Sequence, residues 1–134
     1  MLTNDFKAHV QRTGGKIGVS LRGACTDATA ARQLEGVLQE AIADGLLVVW
    51  IDCQRLTPMT WQGQRAILNA DRLARMNGVT LHWCGVPSVV MEQLTASGLN
   101  LLLCLQPAAN YQGPALLLQD QPPASTQSRF FYNK

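Results

Sequence analysis

The amino-acid sequence predicts an α/β fold in which strands and helices follow the order β-β-α-β-α-β-α-β. Three observations support this prediction. Residues 6–23 alternate apolar and polar side chains around a glycine pair, residues 26–45 and 62–78 repeat apolar side chains at helical spacing, and short apolar runs follow each helix. Strands that alternate with helices favour a layered α/β sheet. The length of 134 residues is sufficient for one domain.

The N-terminal segment predicts two antiparallel strands joined by a tight turn. The turn sequence Thr13-Gly14-Gly15-Lys16 contains two glycines, which adopt the positive φ angles that short hairpin turns require. In the second strand Ile17, Val19 and Leu21 alternate with small or polar residues. This alternation indicates that one face of the hairpin is buried.

The segment TDATAARQLEGVLQEAIADG, residues 26–45, predicts an amphipathic helix. Thr26 or Asp27 can cap its start, and Gly45 ends it. The run LLVVWID that follows is apolar at nearly every position. Such a run is typical of a strand buried on both faces, as in a parallel sheet covered by helices.

The second half of the chain predicts two more helices and two more strands. A helix over 62–78 has Thr60 as its N-cap, with the hydroxyl accepting from backbone N–H groups of the first turn. A strand over 79–85 and a short helix over 87–98 come next, and the run LNLLLCL, residues 99–105, predicts the final strand.

The domain is predicted to span residues 1–112, and residues 113–134 form a C-terminal tail. The tail contains Pro, Gly and Ser and ends in the aromatic residues Phe130, Phe131 and Tyr132. These aromatics are available to dock on the domain or on a partner. The sequence shows no N-terminal targeting segment and no apolar run approaching the ~18 residues of a membrane span, so we expect a cytoplasmic protein without direct membrane insertion.

Several function classes lack support in the sequence. The net charge is +2 and the basic residues are scattered, which argues against nucleic-acid binding. No phosphate-binding loop, nucleophile elbow or dinucleotide fingerprint is present, so we predict no enzyme activity, no catalytic residues and no cofactor. His82 and Cys84 share a strand face and Cys53 lies on a neighbouring strand, but these residues lack a fourth ligand and a recognised zinc spacing. We therefore predict no metal site.

Three segments in the correct order resemble the STAS domain of anti-sigma factor antagonists and sulfate transporter tails. Asp52, Leu56, Gly63 and Ala66 coincide with the family pattern D-L-S-x-V-x-x-I-D-S-S-G-L-x-A-L. Upstream, VSLRGACTDATAARQLEGVL is similar to the family's opening, and downstream ASGLNLLLCL is similar to the segment before its last strand. The resemblance covers about residues 5–106. It implies a mixed β-sheet with an N-terminal antiparallel hairpin and helices packed on it.

The resemblance also implies a phosphorylation switch that this sequence lacks. In signalling members a kinase phosphorylates the Ser that follows the Asp in the pattern. Here that Ser position is Trp61, the preceding Asp is Thr60 and the following Ser is Gln62. An indole cannot accept phosphate, so only Thr57 and Thr60 offer hydroxyl groups for phosphorylation in this turn.

These features predict a non-catalytic protein–protein interaction module in bacterial signalling or transcription regulation. Its partner would be an anti-sigma kinase-like protein or a signalling scaffold, and a homodimer stays possible. The predicted partner-binding residues are Thr57, Thr60, Trp61, Gln62, Gly63, Gln64 and Arg65. The structural alternative is that Trp61 folds over the helix start and covers Met59 or Leu56.

Two other functions stay open at this stage. One is a cytoplasmic accessory subunit of a lipid ABC transporter, because some STAS proteins are similar in size and serve such systems. The other is a sensor of a nucleotide or another small ligand, held near the strand ends around Asp52, Thr57 and Gly85.

Overall fold

The structure, a computed structural model, describes residues 6–120. It contains a five-stranded sheet in the order β1-β2-β3-β4-β5, with β1 antiparallel to β2 and the other pairs parallel. The strands are β1 (Lys7–Thr13), β2 (Lys16–Gly23), β3 (Val48–Leu56), β4 (Thr80–Cys84) and β5 (Cys104–Gln106). The helices are α1 (Ala28–Ala43), α2 (Trp61–Met76) and α3 (Ser88–Ser97). The predicted α/β class and the N-terminal antiparallel hairpin are confirmed.

The hairpin turn forms as the sequence predicts. Gly14 and Gly15 have φ angles of 57° and 80°, in the region that favours glycine. The strands pair in a register that places Val10 opposite Val19. Both side chains are buried in the core, so the turn and the hydrophobic pattern specify the same register.

The main hydrophobic core lies between one face of the sheet and the three helices. From the strands it contains alternate residues such as Val19, Ile51 and Trp83, and from the helices residues such as Leu34 and Ile67. Because parallel strands place these side chains at matching positions, the core is continuous across the sheet.

The predicted final strand is wrong over its first residues. Gly98 ends α3 with a φ of 86°, and Leu99–Leu101 then forms a 3-10 helix. Only Cys104–Gln106 pairs with β4. Leu101 is 83% exposed, whereas Leu99 and Leu103 are buried, so the Leu-rich run makes a turn that faces the solvent on one side before the short strand begins.

Residues 107–120, here called the C-terminal strap, cover the other face of the sheet. Leu117 of the strap is fully buried. A Cβ atom added at Gly18 of β2 would lie 2.8 Å from Pro114 Cδ and 2.8 Å from the Tyr111 hydroxyl oxygen. The strands are therefore covered on both faces, as predicted for β3, but helices cover one face and the strap covers the other.

Two arginines at the ends of β2 and β3 hold the strap in place. Arg22 donates to the backbone carbonyl of Leu117 at 2.8 Å and to the carbonyls of Gln119 and Asp120. Arg55 forms an ion pair with the Asp120 carboxylate at 2.6 Å. Residues 113–120 of the predicted tail thus contact the sheet, and the division at residue 112 stays a prediction. The aromatic residues 130–132 lie outside the described residues.

Candidate functional site

The loop between β3 and α2 is fixed by hydrogen bonds from both sides. Thr57 N donates to the Gly23 carbonyl at 3.0 Å, and Thr60 N donates to the Cys25 carbonyl at 3.3 Å. On the other side, the Gln93 side chain of α3 donates to the Met59 carbonyl at 2.7 Å and accepts from Met59 N at 2.9 Å. The backbone of the loop is therefore fixed, and it holds the exposed residues of the loop in defined positions.

The first turn of α2 packs against the segment that follows β2. Gly63 is buried there, and a Cβ atom added to it would lie 2.5 Å from the Cys25 carbonyl oxygen and 2.9 Å from Met59 Cβ. No side chain fits at that position. Gly63 therefore determines how closely α2 approaches the chain, and it presents no surface of its own.

The indole of Trp61 is 65% exposed at the first position of α2. Leu56 and Met59 are both buried, although most of the Trp61 side chain remains in solvent. Thr57, Thr60 and Arg65 are also exposed, whereas Gln62 and Gln64 are half-buried. Six of the seven predicted partner-binding residues are therefore exposed or half-buried in the loop and the first two turns of α2. The exposure of Trp61 favours a contact role over a covering role.

The predicted cap of α2 differs from the observed one. Thr60 occupies the N-cap position with an extended backbone, but its side chain makes no capping hydrogen bond. Its hydroxyl donates instead to Gln62 Oε1 at 3.1 Å. The prediction that the Thr60 hydroxyl accepts from the first turn is therefore wrong, because the side chain adopts a conformation in which the hydroxyl bonds Gln62 and no N–H of the first turn.

An open groove of about 410 Å³ adjoins Trp61. Its lining residues are Trp61, Gln64, Leu68, Ser97, Gly98, Leu99 and Leu102. Sequence reasoning reached only two of these residues, Trp61 and Gln64. The seven-residue spacing between Trp61 and Leu68 could have indicated that Leu68 belongs to the same surface, since that spacing places both residues on one side of a helix.

The arginines of α2 differ in their pairing. Arg75 forms an ion pair with Asp71 at 2.6 Å and donates to the Leu102 carbonyl at 2.6 Å. Arg65 and Arg72 are exposed, and neither forms an ion pair with any residue between 6 and 120. The surface beside the groove therefore carries positive charge that the described part of the chain leaves uncompensated.

Of the residues considered for ligand sensing, Asp52 is buried and Gly85 is closely packed. Asp52 is 1% exposed, and its Oδ1 accepts from the backbone and side-chain nitrogens of Gln54. A Cβ atom at Gly85 would lie 2.6 Å from Gln54 Cγ and 3.1 Å from Ala108 Cβ. Gln54 and the strap therefore occupy the space beside Asp52, while Thr57 lies on the surface.

The histidine and cysteine side chains near the strap form a packed polar layer. The Nδ1 atom of His82 lies 3.2 Å from the Cys104 sulfur, and its ring stacks on Trp50 with centroids 4.6 Å apart. Burial lowers the pKa of His82 and raises the pKa of the Cys84 thiol to about 11. Within residues 6–120 no three His, Cys, Asp or Glu side chains are grouped so that they could hold a metal ion.

The sequence of this chain matches one family model, described as "Mlab, STAS domain", over residues 8–107. The chain belongs to the STAS domain family. No curated protein matches its sequence significantly. Across residues 6–120, no helix is both long enough and apolar enough to span a membrane.

Solved structures share the fold of this STAS domain. An anti-sigma factor antagonist from Mycobacterium paratuberculosis has a TM-score of 0.66 at 16% identity, over 78% of this chain and 88% of that chain. SpoIIAA in its unphosphorylated form has a TM-score of 0.62 at 19% identity, over 78% and 89%. The Bacillus cell fate determinant SpoIIAA in the phosphorylated form has a TM-score of 0.58 at 18% identity, over 78% and 92%.

Proposed function

We propose that this STAS domain is a non-catalytic protein–protein interaction module of bacterial signalling or transcription regulation, acting in the cytoplasm. The observation that carries the proposal is the exposed Trp61 on a rigidly supported turn. The docking face comprises Thr57, Thr60, Trp61, Gln62, Gln64, Arg65, Leu68 and residues 97–102.

The chemistry of the docking face suits a protein partner. A Trp side chain offers about 150–250 Å² of area with a polar N–H at one end, and truncation of such residues often costs more than ~2 kcal/mol at interfaces. The backbone that carries Trp61 is held at a fixed place, because the loop before it donates to the Gly23 and Cys25 carbonyls and is bonded to the Gln93 side chain. Little conformational entropy is then lost on binding.

Docking by this domain does not use phosphorylation at the start of α2. The relative SpoIIAA is known in a phosphorylated form, but the residue at the family's phosphoacceptor position here is Trp61. Thr57 and Thr60 are exposed, so they remain the hydroxyl groups that a kinase would reach. Intact mass of the protein from its native host tests this point, and a stoichiometric phosphate on either Thr would contradict it.

The test of the proposed function compares Trp61→Ala with Leu47→Ala in binding to the native partner. Leu47 is 74% exposed and immediately precedes β3, at the sheet edge opposite the docking face, so it is a matched apolar control. We expect Trp61→Ala to weaken binding by about 30-fold, which corresponds to ~2 kcal/mol. Leu47→Ala should bind as the unchanged protein does.

The identity of the partner separates the two protein-binding hypotheses. Partners are captured from native lysate with both variants and identified, and their affinities are then measured with purified proteins by calorimetry. Trp61-dependent binding of an anti-sigma kinase-like protein or a scaffold supports the signalling role. Retention of a transport ATPase by both variants would favour the accessory subunit of a lipid ABC transporter instead.

A further inference from the structure

The exposed side of α2 carries apolar and basic residues in alternation. Trp61, Arg65, Leu68 and Arg72 follow each other at spacings of four, three and four residues, which places them on one side of the helix. The helix has 16 residues and is therefore about 24 Å long. Its first two turns, through Trp61, Gln64 and Leu68, form one wall of the groove.

Residues 97–102 form the other wall of the groove. Leu101 is 83% exposed and Leu102 is 48% exposed, although both are large apolar side chains. The bond from Arg75 to the Leu102 carbonyl ties this wall to α2. The two walls therefore keep a fixed distance, and both offer apolar surface to a third element.

The charge beside this groove has one sign. Helix α2 contains three arginines and one aspartate, and that aspartate, Asp71, is already paired with Arg75. The opposite wall, SGLNLL, contains no charged residue. The uncapped start of α2 adds the positive end of the helix dipole near Trp61, and Arg65 and Arg72 add positive charge further along α2, so carboxylates are favoured beside the groove.

We propose that the partner places an amphipathic, acidic α-helix in this groove. Its apolar side chains would contact Trp61, Leu68 and Leu102, and its Asp or Glu residues would flank them and face Arg65 and Arg72. This inference rests on the proposed function and names the chemistry of the partner at the same site. A partner carboxylate near Trp61 would also accept from the N–H groups that the Thr60 side chain leaves uncapped.

A helix fits this groove better than other occupants do. Its walls are a helix side and a short turn, so they expose no strand edge that an extended peptide could join, whereas an amphipathic helix buries apolar residues at i, i+4 and i+7 between two such walls. The groove is open along one side, and enclosed pockets bury ~70–90% of a small ligand's surface. A second copy of this domain would bring its own Arg65 and Arg72 into the contact, and like charges disfavour that pairing.

Three stapled helical peptides of about 18 residues test the proposal with the full chain. They share one leucine stripe, and their flanking positions are all Glu, all Gln or all Lys. We expect the Glu peptide to bind about tenfold more tightly than the Gln peptide at ~50 mM salt and the Lys peptide to bind most weakly. At ~500 mM salt the difference between the peptides should shrink.

Three variants and NMR shifts locate the contact. Arg65→Glu/Arg72→Glu should reverse the preference from the Glu peptide to the Lys peptide, while Arg32→Glu on the exposed side of α1 should leave it unchanged. In NMR spectra of the labelled protein, the Trp61 indole and the Leu99–Leu102 amides should shift on binding. Trp61→Ala should weaken all three peptides.

Four results would overturn the inference. Equal affinities of the three peptides would contradict the preference for acidic partners. NMR shifts away from the groove would contradict binding in the groove. Failure of every peptide to bind would contradict a helical partner segment. Trp61-dependent binding of the native partner would still support the proposed function. A doubled mass in sedimentation that Trp61→Ala abolishes would assign the face to a homodimer instead.

Discussion

Helices α1 and α2 have the same length, and each follows a strand of the parallel part of the sheet, but their first residues differ. Each has 16 residues, and each follows a strand that ends at the same edge of the sheet. The start of α1 is closed by Asp27, whose carboxylate accepts from Ala30 N at 2.8 Å. The start of α2 has Thr60 at the cap, with no side-chain cap bond, and an exposed Trp61 beside it.

The start of α1 carries a cap that stabilises the fold, and the start of α2 is where we propose that the partner binds. A capping side chain typically stabilises a helix by about 1 kcal/mol. Helix α2 lacks this contribution, because the Thr60 side chain makes no capping bond. Natural proteins most often break such local rules at functional sites. The comparison between the two helix starts can be tested by changing equivalent positions in each.

The largest expected difference comes from one glycine in each helix. At Gly63 an added Cβ would lie 2.5 Å from the Cys25 carbonyl oxygen, whereas at Gly36 of α1 nothing lies within 4 Å. Gly63→Ala should therefore lower the free energy of unfolding by about 2–3 kcal/mol. Gly36→Ala should raise it by about 0.5–1 kcal/mol, because Ala is the better helix former. Urea unfolding monitored by circular dichroism measures both, and similar effects at the two positions would contradict the tight packing of α2.

A smaller difference is expected from the two cap residues. Asp27→Ala should cost about 1 kcal/mol, because it removes an observed capping bond. Thr60→Ala should cost much less, since its hydroxyl caps nothing. Thr60→Asp should instead raise the free energy of unfolding by about 0.5–1 kcal/mol, by supplying the cap and a charge at the helix start. Equal losses in the two alanine variants, in thermal and urea unfolding, would show that Thr60 caps α2 after all.

The smallest effect should be a pH dependence that neither helix start controls. His9 and His82 lie on the strap side of the sheet, and burial is the main cause that lowers the pKa of both. The unfolded chain therefore binds protons more readily than the folded protein does, so stability should fall as the pH drops below about 6.5. Unfolding between pH 7.5 and 5.5, taken as about the range where histidine titrates, measures this change.

Variants separate the origin of that pH dependence. His9→Gln/His82→Gln should flatten the decline in stability, whereas Asp27→Ala and Thr60→Ala should shift the whole curve and leave its slope unchanged. A slope that persists in the double histidine variant would show that other groups titrate in this range.

Local patterns predicted the helices, the hairpin and the family, because each depends on neighbouring residues. The apolar spacing of α1 and the Asp27 cap are readable within one helical turn. The turn at Gly14 and Gly15 requires only glycine's tolerance of positive φ. The candidate site was reached through the position of Trp61 in a family pattern.

Features that depend on distant or competing contacts could not be predicted. The Thr60 hydroxyl has two available partners, and only the observed rotamer shows that Gln62 receives it. A run of leucines does not distinguish a strand from a 3-10 turn, so Leu99–Leu101 was misassigned. The groove and the strap bring together residues that are far apart in sequence, such as Arg22 and Leu117. The spacing of apolar residues within one segment does not predict such contacts.

The Arg22 contacts with the strap do not depend on the side chains of the strap. Arg22 donates to three backbone carbonyls, those of Leu117, Gln119 and Asp120, and every amino acid, proline included, keeps that carbonyl. Gln119 can therefore change without loss of an Arg22 bond, whereas Asp120 also supplies the carboxylate that pairs with Arg55. Arg22 itself is needed for all three bonds, and Gly18 has no room for a side chain. Among related chains, we therefore expect Arg22 and Gly18 in β2 to vary less than Gln119 at the end of the strap.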